Sequence, residues 1–266
     1  MSERHFQQRV RVVLDGHIAR ISLTRSDKYN GLDFPMLLGL KEAGNFLKKQ
    51  REVRVAILSG EGKAFCAGLD FPAVMSKPLN IAKGFIPTSS TNLFQNVCWV
   101  WRKLPFPVIS VTHGYCYGGG LQIALGCDFR ISTPDCDFSV MEIKWGLIPD
   151  MSASVTLREL VPLDVAKELT LTGRTFKGEE AKALGLVTRI SEQPQQEAEQ
   201  LAAALAARSP TAVAAAKKLL HRTRNSSVWY AFFQERWLQL WLLLGFNRGE
   251  AAKANREKRE PRFKSR

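Results

Sequence analysis

Two β-branched runs, Val10–Asp15 and Ile18–Leu23, are separated by the turn signal Asp15-Gly16, a pattern that predicts a β-hairpin. The period then changes. Residues 33–49 place apolar side chains at helical spacing behind a capping Asp33. A short apolar run at 54–58 predicts a strand, closed by Ser59-Gly60-Glu61-Gly62. Residues 91–103 return to helical spacing until Pro105 and Pro107 break it. Val108–Thr112 reads as a buried strand with glycines close behind, and Phe129–Ser132 and residues 138–140 as further short strands. From Val155 onward helices dominate: an alanine-rich block at 197–208, a second at 211–221, and an aromatic one at 228–246. No strong internal repeat interrupts this order.

Alternating strands and helices followed by helices alone predict an α/β core with a helical C-terminal region. No linker rich in Pro, Gly or Ser divides the chain. The reading is a core at 1–195 and a helical region at 196–266. The greasiest stretch, 237–246, is ten residues long, whereas a bilayer span needs roughly 20 apolar residues. It is expected to be a buried helix face, an oligomer contact or the roof of a pocket. The opening residues have no apolar core, which argues against a signal peptide.

Composition narrows the classes. Hydrophobic residues make up 45% and charged residues 24%, so wholesale disorder and fibrous repeats are excluded. Lys plus Arg is 38 against 25 for Asp plus Glu, a formal charge of +13 that favours a polyanionic ligand. The five cysteines show neither a disulfide framework nor metal-ligand spacing, so no metal site and a reduced, cytoplasmic setting are expected. The tail at 248–266 carries eight basic and three acidic residues, and reads equally as a solvated tail or an anion-binding one.

Two segments put glycine where a main-chain amide would be useful. Ala64-Phe-Cys-Ala-Gly-Leu-Asp70 follows the strand at 54–58, and His113-Gly-Tyr-Cys-Tyr-Gly118-Gly119-Gly120 follows Val108–Thr112. A glycine triplet between strand and helix lets a ligand approach the backbone, and the following helix start directs free N–H groups at it. By itself the triplet is as well explained by a tight turn, and it is not a phosphate-binding P-loop, because no Lys-Ser/Thr follows.

Together these segments resemble the crotonase superfamily, the enoyl-CoA hydratases and isomerases. Leu23-Thr-Arg25 through Asn30-Gly-Leu32, Leu171-Thr-Gly173, Ala181-Lys-Ala-Leu-Gly-Leu-Val187 and Glu257-Lys258-Arg259 to Phe263 extend the resemblance along nearly the whole chain. It implies an α/β fold of the crotonase type, a spiral of β-β-α units with a C-terminal helical trimerisation region. It implies a homotrimer or a hexamer built as a dimer of trimers. It also implies an acyl-CoA thioester substrate, with coenzyme A entering as part of that substrate and no tightly bound cofactor. On this resemblance the N–H groups of Leu69 and Gly119 would form an oxyanion hole, flanked by Gly68 and Gly118. Ala67, Asp70 and Phe71 would line the CoA channel, and Lys28, with Lys258 or Phe263, would lie near its nucleotide end.

The superfamily shares the hole and differs in its acids and bases. Classical hydratases carry two glutamates; here the first position is Gln122 and the second Glu142. A glutamine can orient a water but cannot take its proton. Asp150, eight residues after Glu142, resembles the carboxylate pair of dienoyl-CoA isomerases, although those have an aspartate where Gln122 stands. Two separated carboxylates are what moving a double bond requires, and burial would raise their pKa values toward neutrality. The residues also permit plainer roles. Asp150 could be a helix N-cap, Glu142 a salt-bridged carboxylate and Gln122 a backbone partner. His113 reads as structural, Tyr115, Tyr117 and Trp145 as packing, and Cys66 and Cys116 as small apolar fillers. Isomerase is the favoured activity and enoyl-CoA hydratase the alternative. A nucleic-acid-binding homologue and a silent CoA binder are kept as minor readings, since no aromatic-basic recognition motif is present.

Overall fold

Ser2–Phe6 (β1), Val10–Asp15 (β2) and Ile18–Leu23 (β3) form an antiparallel meander at one edge of the large sheet. The computed structural model describes residues 1–87 and 90–266. The β2–β3 turn is the expected tight one: Asp15 pairs with Ile18, and Gly16 supplies the positive φ of +54°. Phe34–Lys48 (α1) follows, its first turn capped by the Asp33 carboxylate accepting from the Met36 N–H at 2.8 Å.

From here the chain winds in repeated units. Val55–Gly60 (β4) lies parallel to β3 and leads into Phe71–Met75 (α2), Pro78–Phe85 (α3) and Leu93–Lys103 (α4). Val108–Thr112 (β5) passes through Tyr115–Tyr117 (β6) to Gly119–Leu125 (α5). Phe129–Ser132 (β7) passes through Asp137–Ser139 (β8) to a 3-10 turn at Glu142–Trp145, then Ala153–Leu160 (α6) and Leu163–Thr172 (α7). Phe176–Lys177 (β9), Gly178–Ala183 (α8) and Arg189–Ile190 (β10) complete the winding. Strands β1-β2-β3-β4-β5-β7-β10 form a seven-stranded sheet and β6-β8-β9 a smaller one. The fold is therefore the β-β-α spiral expected, with β6, β8 and β9 forming a short second sheet beside the large one.

One side of the sheet packs on α1, α4 and α5 through a core that includes Trp101, Phe65, Phe106, Ile21 and Leu40. Pro194–Ala206 (α9) covers the other side, burying Ala198 and Ala202 against Val55, Ile57, Ile109 and Ile131. A division at 195/196 would separate α9 from the sheet it covers. The helices that leave the sheet are Pro210–Thr223 (α10), Val228–Leu243 (α11) and Phe246–Glu257 (α12).

Helix α11 is not a buried face in this chain. Trp229, Phe232, Trp237 and Trp241 are all about half exposed or more. No helix among the described residues is long and apolar enough to cross a membrane. The basic tail is docked. The Arg266 guanidinium donates to the carbonyls of Pro105 and Gln50 at 3.1 Å each and lies over the Phe106 ring, so the end of the tail is held against the body while residues 255–260 are exposed.

Candidate active site

The loop after β4 is built by main-chain hydrogen bonds to two other segments. The Phe65 and Cys66 N–H groups donate to the His113 and Tyr115 carbonyls, and Tyr117 N–H donates back to Cys66. On the other side Leu32 N–H donates to Gly68 O at 2.8 Å and Asp70 N–H to Leu32 O at 3.1 Å. Leu69 is thus straddled by a two-residue bridge, with its own N–H turned away. Buried Asn30 fixes the turn beneath, donating to the carbonyls of Glu61 and Ala64 and accepting from Arg25 N–H. Gly68, at φ +91°, lies against the second loop: a Cβ there would come within 3.8 Å of Gly119 N.

Gly119 opens α5, so its N–H is one of the donors a helix start leaves without an internal partner. Neither the Leu69 nor the Gly119 amide donates to an acceptor among the described residues. Both residues line one cavity of about 110 Å³, together with Ala67, Gly68, Phe71, Gly118, Glu142 and Asp150. Two unused donors at the wall of a small apolar cavity can stabilise a negative oxygen placed between them.

Glu142 starts the 3-10 turn after β8. Its Oε1 accepts from Gln122 Nε2 at 2.7 Å, while Oε2 is buried without a partner among the described residues. Burial raises the carboxyl's pKa, and the nearby Asp150 charge adds to the rise against the lowering effect of its hydrogen bonds. The Asp150 carboxyl is raised too, again mainly by burial. Asp150 caps nothing: the residue at the start of α6 is Ser152, and the Asp150 side chain makes no hydrogen bond to another described residue. The N-cap role weighed from sequence is therefore replaced by a carboxyl free to face the cavity.

Not every expected residue is in the cavity. Gln122, expected among the substrate-binding residues, is only 2% exposed and does not line the cavity; its oxygen accepts from the Met151 and Ala153 N–H groups. Asp70 does not line the cavity: it caps α2 through Ala73 N–H and pairs with Arg25 at 2.8 Å. Burial alone would raise its carboxyl, but Ala73, Arg25 and the exposed Lys28 outweigh that and hold it low. Lys28 likewise stands outside the cavity wall.

Phe263 sits at the start of β4, its carbonyl accepting from Arg54, at the opposite end of the strands from the loops just described. Lys258 is exposed at the end of α12. Neither lines the cavity of its own chain.

His113 is structural as expected, its Nε2 lying 3.0 Å from Gly62 O. Trp145 stacks on Phe71 with centroids 4.6 Å apart and forms the lip. Met141, Leu147, Ile148 and Met151, which sequence reasoning did not single out, complete the apolar wall. Their only signal was an apolar run around two carboxylates with no strand or helix period. No group of three or more His, Cys, Asp or Glu among the described residues could hold a metal ion.

A spiral fold whose cavity is lined by two residues with unused backbone donors and by two partly buried carboxylates sets the frame for comparison with known proteins. The family model described as enoyl-CoA hydratase/isomerase matches residues 14–266, and the chain belongs to that family. It is 29% identical to the peroxisomal Delta(3,5)-Delta(2,4)-dienoyl-CoA isomerase of Arabidopsis thaliana, over 96% of this chain and 95% of that protein. It is also 29% identical to an enoyl-CoA hydratase of Mycobacterium tuberculosis, over 94% of each. The crystal structure of an enoyl-CoA hydratase from Bacillus anthracis superposes with a TM-score of 0.89 at 27% identity, covering 97% of this chain and all of that one.

Proposed function

We propose that this protein shifts a carbon–carbon double bond along an acyl-CoA thioester through an enolate. One carboxylate of the Glu142–Asp150 pair removes a proton from the carbon next to the thioester carbonyl. The electron pair moves onto the carbonyl oxygen, where the Leu69 and Gly119 N–H groups receive it. The other carboxyl, in its acid form, returns a proton further along the unsaturated chain, and the charge leaves the oxygen as the double bond settles in its new place. Losing one such backbone donor typically costs roughly 3–4 kcal/mol in barrier.

The observation that carries this reading is that Glu142, whose Oε2 has no hydrogen-bond partner among the described residues, lines the same cavity as Asp150 and the residues of the two free amides. Coenzyme A enters with the substrate, and the +13 charge suits its phosphates. The exposed aromatic face of α11 supports assembly with further copies of the chain, as a trimer or a dimer of trimers.

Incubation with 3-enoyl- and 3,5-dienoyl-CoA in deuterated water tests the reading. A shift gives conjugated absorbance, deuterium on carbon and no added water. Loss of conjugation from a 2-enoyl-CoA with the gain of one water would instead favour hydration, the reading to which the hydratase relatives point.

A further inference from the structure

Gln122 is the fourth residue of α5 and is almost fully buried, and its amide bonds to two other segments. Its Oε1 accepts from Met151 N–H at 2.9 Å and Ala153 N–H at 3.1 Å. Two main-chain donors can only meet an oxygen, so the NH2 end must face Glu142, where Nε2 lies 2.7 Å from Oε1. The orientation of the amide is thus fixed by its partners. Both lone pairs of the Gln122 oxygen are taken, which leaves it nothing with which to hold a water.

This has a consequence for Glu142. An oxygen that accepts from an N–H at 2.7 Å is favoured as the carbonyl oxygen of the acid form, which is the better acceptor. When Glu142 is protonated, the proton belongs on Oε2, the buried oxygen that has no other partner. The same amide ties Glu142 to Met151 and Ala153, the residues just beyond Asp150. We infer that Gln122 is a positioning residue: it keeps the Glu142 proton on Oε2 and holds the Asp150 segment in register with that carboxyl. The inference rests on the double-bond shift proposed above as to use, though not as to geometry.

Two variants separate these functions. Q122E keeps an oxygen for Met151 and Ala153 but sets a second carboxyl oxygen against Glu142 Oε1. The two can only share a proton there, which draws it away from Oε2. Q122L removes both links. The substrate-free readout is the carboxyl carbon NMR signal of Glu142 followed through a pH titration, with thermal unfolding as the check on folding.

In Q122L the Glu142 midpoint should rise by about one pH unit, because a donor to the ionised form is lost. In Q122E the titration should become biphasic. On a 3-enoyl- or 3,5-dienoyl-CoA, Q122E should lower kcat by about tenfold or more with KM within about twofold, as expected for a group that aligns the reacting proton. Unchanged Glu142 titration in both variants, or a Q122E enzyme with the parent's kcat and pH profile, would overturn the inference. Q122E stands alone if Q122L fails to fold. If the parent turns over no thioester, the proposed reaction fails while the NMR titration still decides whether Gln122 controls the Glu142 proton.

Discussion

The Lys217 ammonium lies 2.6 Å from the Asp128 carboxylate, with both side chains largely buried. Its other two protons go to the carbonyls of Trp101 and Phe106, so all three donors of a buried lysine are used. Asp128 also accepts from Val108 N–H at the start of β5, and His221 lies 3.2 Å from its other oxygen. Burial alone would raise the Asp128 carboxyl, but Lys217, His221 and Val108 outweigh it and hold it below the ordinary range. Helix α10 is thereby fastened to the base of the sheet, and α11 and α12 depend on α10 for their position.

Replacing Lys217 by Met leaves Asp128 buried with only His221 and one amide. Removing one member of a buried ion pair costs about 3–5 kcal/mol. Urea unfolding of K217M should show that loss. The double variant K217M/D128N should recover a large part of it, because the uncompensated charge is gone. Equal stability of K217M and the parent would mean that the pair is not what holds α10.

The second loop permits a sharper test. Gly118 sits at φ +49° and ψ −118°, a conformation that side chains rarely adopt, and a Cβ there would come 3.2 Å from Glu142 Oε1. G118A should therefore displace the carboxyl that Gln122 holds and cost about 1–3 kcal/mol in backbone strain. Turnover should fall by about 100-fold for a misplacement of this kind, with a smaller change in KM. Ala substitution at Gly146, where a Cβ meets nothing within 4 Å but φ is +68°, provides the control for strain without a clash at Glu142.

The contrast between these glycines and Gln122 shows what could be read in advance. The β2–β3 hairpin and α1 were legible because their signals are local: a two-residue turn with glycine, and a capping Asp33 before helical spacing. The backbone donors were legible for a related reason, since glycine placed just after a strand marks where main chain is left open. Strand β1 was missed because its side chains are polar and mostly exposed, so pairing with β2 alone defines it. Strands β6, β9 and β10 are two or three residues long and exist only through partners far along the chain. Helices α2 and α3 are only five and eight residues long, too short to show a helical period, and each carries a proline in its first turn, where proline costs no hydrogen bond. The Gln122 clamp joins residues 20 to 31 positions apart, and no periodicity carries that information.

The cysteines give an independent check on packing around the site. All five are free and buried. Burial pushes the thiols of Cys66, Cys127 and Cys136 up to about 12, and those of Cys98 and Cys116 well above the ordinary value. Thiolate is the reactive form, so at pH 8 the folded protein should resist a thiol-directed reagent such as Ellman's reagent. In strong denaturant all five should titrate. Rapid labelling of Cys66 or Cys116 in the folded state would show that the loop carrying Leu69, or the one leading to Gly119, opens far more than its hydrogen bonds suggest.

Glu142 should trade stability for function in a pH-dependent way. Its folded-state pKa is raised by burial, so the folded protein binds that proton more tightly than the unfolded chain does. Between the ordinary glutamate range and the raised value the native state holds more protons, and stability falls as pH rises through that window. Above it the loss is complete, so at neutral pH the ionised carboxylate is a destabilising group. E142Q keeps an oxygen for Gln122 Nε2 and carries no charge to desolvate. It should unfold at a higher temperature than the parent at neutral pH, with the difference shrinking as pH falls toward the ordinary glutamate range. Turnover should drop roughly 10²–10⁴-fold, the usual worth of a general acid–base group. In the parent, kcat/KM should change with pH on the neutral side of the ordinary carboxylate range, and that limb should vanish in E142Q. Paired melting curves and pH–rate profiles of the two proteins measure both effects. An E142Q protein that melts lower at neutral pH, or keeps the parent's pH limb, would mean that this carboxyl is neither strained by burial nor the titrating group.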